Sequence, residues 1–95
     1  MTLNARKSFV EAAIKLLNVQ GVIMYTGYWI DDNYIWGPEE SGKFWIDDGW
    51  VWGPYNSGKW WIEDNWIWGP TDGGKFWIED GHIYGPSNTL PWLKK

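Results

Sequence analysis

The sequence contains no cysteine, which excludes disulfides, a thiol nucleophile and thiolate metal sites together. It has one histidine, His82, so no His/Cys set for zinc exists. No glycine-rich phosphate loop precedes a helix, and no cofactor is expected. Basic residues are scarce where most of the chain lies: residues 26–89 carry three lysines against eleven acids. A surface that tracks phosphates needs clustered Lys and Arg, so nucleic acid is not an expected partner. No run approaches the roughly 18–20 apolar residues of a membrane span, and no transmembrane segment is expected. Arg6 and Lys7 ahead of Phe9, Val10 and Ala12 begin like a secretory leader, but Glu11 and Lys15 interrupt the apolar run and no small-residue cleavage site follows. The expected location is cytoplasmic.

What the chain has in excess is tryptophan, eleven in 95 residues, ten of them inside a repeat. The unit Gly42-Lys43-Phe44-Trp45-Ile46-Asp47-Asp48-Gly49-Trp50-Val51-Trp52-Gly53-Pro54-Tyr55-Asn56-Ser57 occurs four times without a gap, its copies beginning at Thr26, Gly42, Gly58 and Gly74. So short a period means one supersecondary unit set beside itself. The chain divides into residues 1–25, a helix and lead-in strand; residues 26–89, the four repeats; and residues 90–95, where Leu90-Pro91-Trp92-Leu93 lacks the repeat's glycine and turn and reads as a terminal cap ahead of a basic tail.

Residues 3–20 predict a helix, because Leu3, Val10, Ala13, Ile14 and Leu17 fall on one stripe; Thr2 or Asn4 would cap an early start, the capping box Ser8 to Glu11 would start it one to two turns later, and Gly21 is the stop. From Val22 the residues become β-branched and aromatic, and Val22 to Thr26 runs into the first repeat as a strand. Within each repeat Asp32-Asn33, Asp48-Gly49, Asp64-Asn65 and Asp80-Gly81 are dipeptides of two-residue type I′ turns, which need positive φ at both central positions. Such a turn at Asp48-Gly49 sets Asp47 opposite Trp50, Ile46 opposite Val51, Trp45 opposite Trp52 and Phe44 opposite Gly53. A four-residue loop Tyr55–Gly58 at the second connection sets Trp52 opposite Trp61 and Val51 opposite Ile62. Both connections keep the same residues on the same face.

The predicted fold is mainly β: an N-terminal α-helix followed by an eight-stranded antiparallel meander of four hairpins, with a β-solenoid or a small barrel as the alternatives. A solenoid would stack the acids of successive copies about 4.8 Å apart, whereas the meander separates them by an aromatic strand. One face carries the isoleucines and a row in which Tyr28, Phe44, Trp60 and Phe76 alternate with Gly37, Gly53, Gly69 and Gly85, each glycine leaving room for a ring. The other carries Trp29, Trp36, Trp45, Trp52, Trp61, Trp68, Trp77 and Tyr84 in line, beside a row alternating Asp31, Asp47, Glu63 and Glu79 with Tyr34, Trp50, Trp66 and His82.

Catalysis finds little support in these residues. His82 stands in a column filled elsewhere by Tyr34, Trp50 and Trp66, a structural position by internal comparison. Adjacent acids such as Asp47-Asp48 point to opposite sides of a strand, and the second is explained as a turn residue, so calcium ligation is not expected. Trp ladders stabilise a sheet by cross-strand pairing, and rings beside carboxylates also form the usual surface for sugars. The repeat, through Gly42, Trp45, Gly49, Trp52 and Gly53 and their copies, resembles short aromatic-glycine hairpin families, the MORN repeats and the choline-binding repeats. Its period of 16 is shorter than theirs. The resemblance implies a binding or scaffold role.

An open sheet of eight strands is roughly 38 Å wide, more than one helix of about 27 Å can cover, and both of its faces would be apolar. The expectation is therefore a homo-oligomer built through the tryptophan ladder, with the helix on the isoleucine face, acting as a non-enzymatic assembly or scaffolding module. The alternative is a carbohydrate-binding module using Tyr34, Trp50, Trp66 and His82 beside Asp47 and Glu63. A closed barrel would have to turn the Ile and Gly face inward, because eight large rings do not fit one layer inside eight strands.

Overall fold

The computed structural model describes residues 24–95; the expected helix over 3–20 and the start of the lead-in strand lie outside them. The strands are β1 (Met24–Asp31), β2 (Tyr34–Trp36), β3 (Phe44–Asp47), β4 (Trp50–Trp52), β5 (Trp61–Glu63), β6 (Trp66–Trp68), β7 (Phe76–Glu79) and β8 (His82–Gly85), followed by one 3₁₀ turn, Pro91–Leu93. Each pairs antiparallel with its sequence neighbour, and β1 pairs with β8, so the meander closes into a barrel. Of the three architectures considered, the small barrel is the one adopted.

The tight turns form as their residues require. Asp48 and Gly49 sit at φ 53° and 82°, and the other three turns repeat this left-handed pair. The hairpin register follows: Trp45 faces Trp52, Ile46 faces Val51 and Asp47 faces Trp50, with the same pattern in the other hairpins.

The second connection corrects the expected register. Trp61 pairs with Trp50, not Trp52, and Val51 N–H donates to the Trp60 carbonyl at 2.9 Å, so the junction has slipped by two residues. The loop between is wider than four residues. Asn56 and Gly58 both take positive φ, and Gly58 N–H returns to the Val51 carbonyl at 2.8 Å. Ser57 Oγ accepts from Gly53 N–H at 2.8 Å, holding the Gly-Pro start of the loop, and Ser41 does the same for Gly37 at 3.0 Å. A slip of two leaves every side chain on its predicted face, since strand side chains alternate with period two. It also tilts the strands. With the expected register, equivalent residues of successive copies would lie in straight rows and the sheet would stay open; a two-residue stagger at each junction is the shear that lets a sheet close.

Closure reproduces the internal junctions. Ile46, Ile62 and Ile78 N–H groups each donate to a turn residue of the preceding hairpin, Asn33, Gly49 and Asn65, at 2.7 Å. Ile30 makes the same 2.7 Å bond to Gly81 of the last hairpin. The seam is eased by a bulge in β1 between Tyr25 and Trp29, where Gly27 has φ 92°. Thr26, which replaces the repeat's leading glycine, is buried there and donates its hydroxyl to the Ile83 carbonyl at 2.7 Å. No strand edge among β1 to β8 remains unpaired, which removes the usual route to edge-to-edge aggregation.

The interior is the isoleucine and glycine face. Ile35, Val51, Ile67 and Ile83 are buried with Tyr28, Phe44, Trp60 and Phe76. Each ring occupies the space a side chain would need at the glycine opposite: a Cβ on Gly53 would come within 2.2 Å of the Phe44 ring, and on Gly69 within 2.1 Å of Trp60. The barrel thus encloses the isoleucine face that an open sheet would have left to a covering helix. At the loop end Leu90 and Trp92 are buried in the core, Trp92 edge-on to Trp60 at 6.5 Å, and the Asn56 side chain holds the Trp92 and Lys94 carbonyls at 3.0 and 2.9 Å.

Candidate functional site: the outer aromatic belt

Alternation along each strand sends outward what the core does not use. Trp29, Trp45, Trp50, Trp66, Trp68, Tyr34 and Tyr25 are all exposed on the barrel wall, each with about two fifths of its surface in water. The expected single line of rings is stepped, because the two-residue stagger sets Trp61 beside Trp50 and Trp77 beside Trp66. The rings meet across the junctions at 5.1 Å for Trp50 and Trp61, 5.3 Å for Trp66 and Trp77, and 6.4 Å for Tyr34 and Trp45. At the seam His82 meets Tyr25 instead, edge-on at 5.4 Å, with its Nδ1 2.9 Å from the Asp80 carbonyl.

The belt holds two kinds of tryptophan. Trp36, Trp52 and Trp68 are fasteners: their indole N–H groups donate to the carbonyls of Asp31, Asp47 and Glu63 at 3.2, 3.3 and 3.4 Å. Their rings fold over the loop glycines, so that a Cβ on Gly42 or Gly74 would come within 2.7 or 2.9 Å of them. Trp45 and Trp61 and the column of Tyr34, Trp50 and Trp66 meet other rings instead. Trp77 departs from the expected exposed ladder, being 7% exposed and stacked on Tyr84 at 5.8 Å and 17°.

The acids run beside the rings. Asp31, Asp47, Glu63 and Glu79 face Tyr34, Trp50, Trp66 and His82 across their hairpins. The ion pairs among the described residues are Lys43 with Glu40, and Lys75 and Lys94 with Asp72, all in the loops or tail and none at the tight turns. On the third hairpin Trp61, Glu63, Asp64, Trp66 and Trp68 line a groove of about 470 Å³. Asp64, which its turn role explains at φ 54°, therefore also lines a cavity, something its dipeptide alone does not reveal.

A second hollow, about 390 Å³, lies at the loop end between Glu39, Glu40, Tyr55, Leu93 and Lys95. Sequence reasoning missed it because these residues come from three separate segments. Tyr55 packs edge-on against Phe44 at 5.2 Å, lies under the Lys95 ammonium at 4.8 Å, and donates its hydroxyl to Glu40 at 2.9 Å. Burial and then that carboxylate push the Tyr55 hydroxyl up to about 12, while the Tyr55 hydrogen bond, followed by Lys43, lowers Glu40. These contacts tie the tail to the second loop.

Among the described residues no group of three or more His, Asp or Glu converges to hold a metal ion, and no helix is long and apolar enough to cross a membrane. Comparison with protein-family models, curated proteins and solved structures finds no match for the chain.

Proposed function

We propose that the protein is a non-enzymatic carbohydrate-binding module whose outer wall presents ring faces beside carboxylates, one set per hairpin. The observation that carries this is the pairing of half-exposed tryptophans with acids that have no ion-pair partner among the described residues. A sugar's C–H face stacks on an indole while its hydroxyls donate to a neighbouring carboxylate, and both groups stand here on rigid strands. Rigidity limits the ordering cost of binding.

Closure of the barrel weakens the assembly reading. An open sheet had two apolar faces to hide; the barrel hides one by itself. The remaining aromatics wrap a convex wall, so a second copy reaches only a part of them. Two copies meeting belt to belt would also bring like-charged acid rows together, which is unfavourable. A sugar needs no more than one hairpin.

Titration of the intact chain with soluble polysaccharides and oligosaccharides, followed by tryptophan emission, tests the reading. Saturable quenching or a blue shift is expected, and Trp66→Ala should weaken it about tenfold or more, the loss of one stacking ring. Absence of any change at millimolar sugar, with dimers in light scattering at low protein concentration, would replace this reading by self-assembly.

A further inference from the structure

We propose that the groove of the third hairpin is the principal sugar site and that it selects sugars bearing a free amine, the 2-amino-2-deoxyhexoses and their oligomers. This rests on the carbohydrate reading above.

Three features combine in the third hairpin alone. Its outer face has tryptophan at every ring position, Trp61, Trp66 and Trp68, as the second has with Trp45, Trp50 and Trp52, whereas the first has Tyr34 and the fourth has His82 and Tyr84. Its acid is Glu63, one methylene longer than Asp31 or Asp47, and so reaches further along the rings. Its rings are open, Trp66 at 40% and Trp68 at 38% exposed, whereas the fourth hairpin, the other with a glutamate, has Trp77 at 7%. Trp61 and Glu63 alternate on β5, and Trp66 and Trp68 on β6, so all four side chains project from one wall. The groove's volume falls within the roughly 300–1,000 Å³ usual for small-molecule sites.

Charge decides the ligand class. Glu63 and Asp64 flank the groove, and the described lysines, Lys43, Lys59, Lys75, Lys94 and Lys95, all belong to the loops and tail at the opposite end of the barrel from the tight turns. The turn end therefore carries a pair of acids in each hairpin, uncompensated by any described lysine. A neutral sugar would satisfy only the stacking and hydroxyl contacts. A protonated amine adds a charge-assisted hydrogen bond to a carboxylate and attraction to the indole faces beside it. The Trp68 N–H is occupied by the Glu63 backbone carbonyl at 3.4 Å, so the ring contributes its face and leaves the Glu63 carboxylate to the ligand.

The test is calorimetric titration of the full chain with fully deacetylated glucosamine oligomers, their N-acetylated equivalents and cello-oligosaccharides of the same length, at mildly acidic pH where the amine is protonated. The deacetylated oligomer should bind about tenfold tighter than either neutral one. Glu63→Gln should abolish the preference, bringing the deacetylated oligomer to the affinity of the neutral ones in the same variant, with an unchanged thermal midpoint as the check on folding. Equal or tighter binding of a neutral oligomer would overturn the amine preference and leave the carbohydrate reading standing. Binding of none of the three would overturn both. Full competition by oligolysine at equal charge, or an undiminished preference in Glu63→Gln, would also overturn the proposal, by showing that bulk charge or another site holds the amine.

Discussion

Trp60 and Trp61 are neighbours in the chain and live in different physical regimes. Trp60 points inward, 5% exposed, with its ring against Gly69, its N–H on the Thr71 carbonyl at 3.1 Å and Trp92 at its edge. Trp61 points outward, half-buried, with its ring against that of Trp50 at 5.1 Å. Inside, every ring is matched to a missing side chain opposite, so volume is conserved pair by pair and neither partner can change alone. Outside, rings touch rings on one side and water on the other, so each can be lost with little consequence for its neighbours. The protein thus places tolerance to substitution where ligands can reach it.

Emptying the interior should have the largest effect. Phe44→Ala is expected to cost about 3–5 kcal/mol in chemical denaturation, since a buried ring is removed and the β-wall cannot collapse into the space. Filling the interior should cost nearly as much: Gly53→Ala, whose Cβ would meet Phe44 at 2.2 Å, should lose about 3 kcal/mol. The double variant is the sharper experiment. If ring and glycine are matched, Phe44→Ala with Gly53→Ala loses clearly less than the sum of the two, and simple additivity would show them to be independent.

The plug comes next. Trp92→Ala should cost about 3 kcal/mol, but Trp92→Phe only about 1–2, because the buried Trp92 Nε1 has no hydrogen-bond partner among the described residues. A phenylalanine variant as damaged as the alanine one would mean that the indole N–H is bonded after all. On the outer wall Trp45→Ala should cost only about 0.5–1.5 kcal/mol in the same assay, the value of a ring pair. A loss comparable to that of Phe44→Ala would erase the distinction between the two faces.

The smallest expected effect concerns the tail. The Tyr55 hydroxyl is raised to about 12 in the fold, from an ordinary value near 10. The unfolded chain therefore loses this proton first as pH rises, and the contribution is full below about pH 10 and is lost by about pH 12. Thermal midpoints of the parent should fall more steeply across that window than those of Tyr55→Phe. Parallel curves would show that the Glu40 contact does not survive in solution.

Much of this was legible in the sequence. The turns at Asp32-Asn33 and its copies follow from dipeptides that tolerate two successive positive φ values. The facing of Phe44 by Gly53 and of Asp47 by Trp50 follows once the turn length is known. Even the inward direction of the isoleucines in a closed form follows, because large rings do not fit in one layer. The groove was half legible: Glu63 and Trp66 stood out as a varied column beside an acid, while Asp64 was absorbed by its role in the turn.

The repeat and its turns by themselves determined the antiparallel order, the hairpin register and the partition of residues between two faces, because all three depend on contacts a few residues apart. Tertiary structure alone decided the stagger, and with it closure, the stepped belt and the burial of Trp77. Loops that pair Trp50 or Trp52 with Trp61 keep every side chain on the same face, so no local pattern of apolar residues separates them. What separates them is a contact between the two ends of the sheet: only the staggered form brings Ile30 N–H to the Gly81 carbonyl and satisfies the edges of β1 and β8.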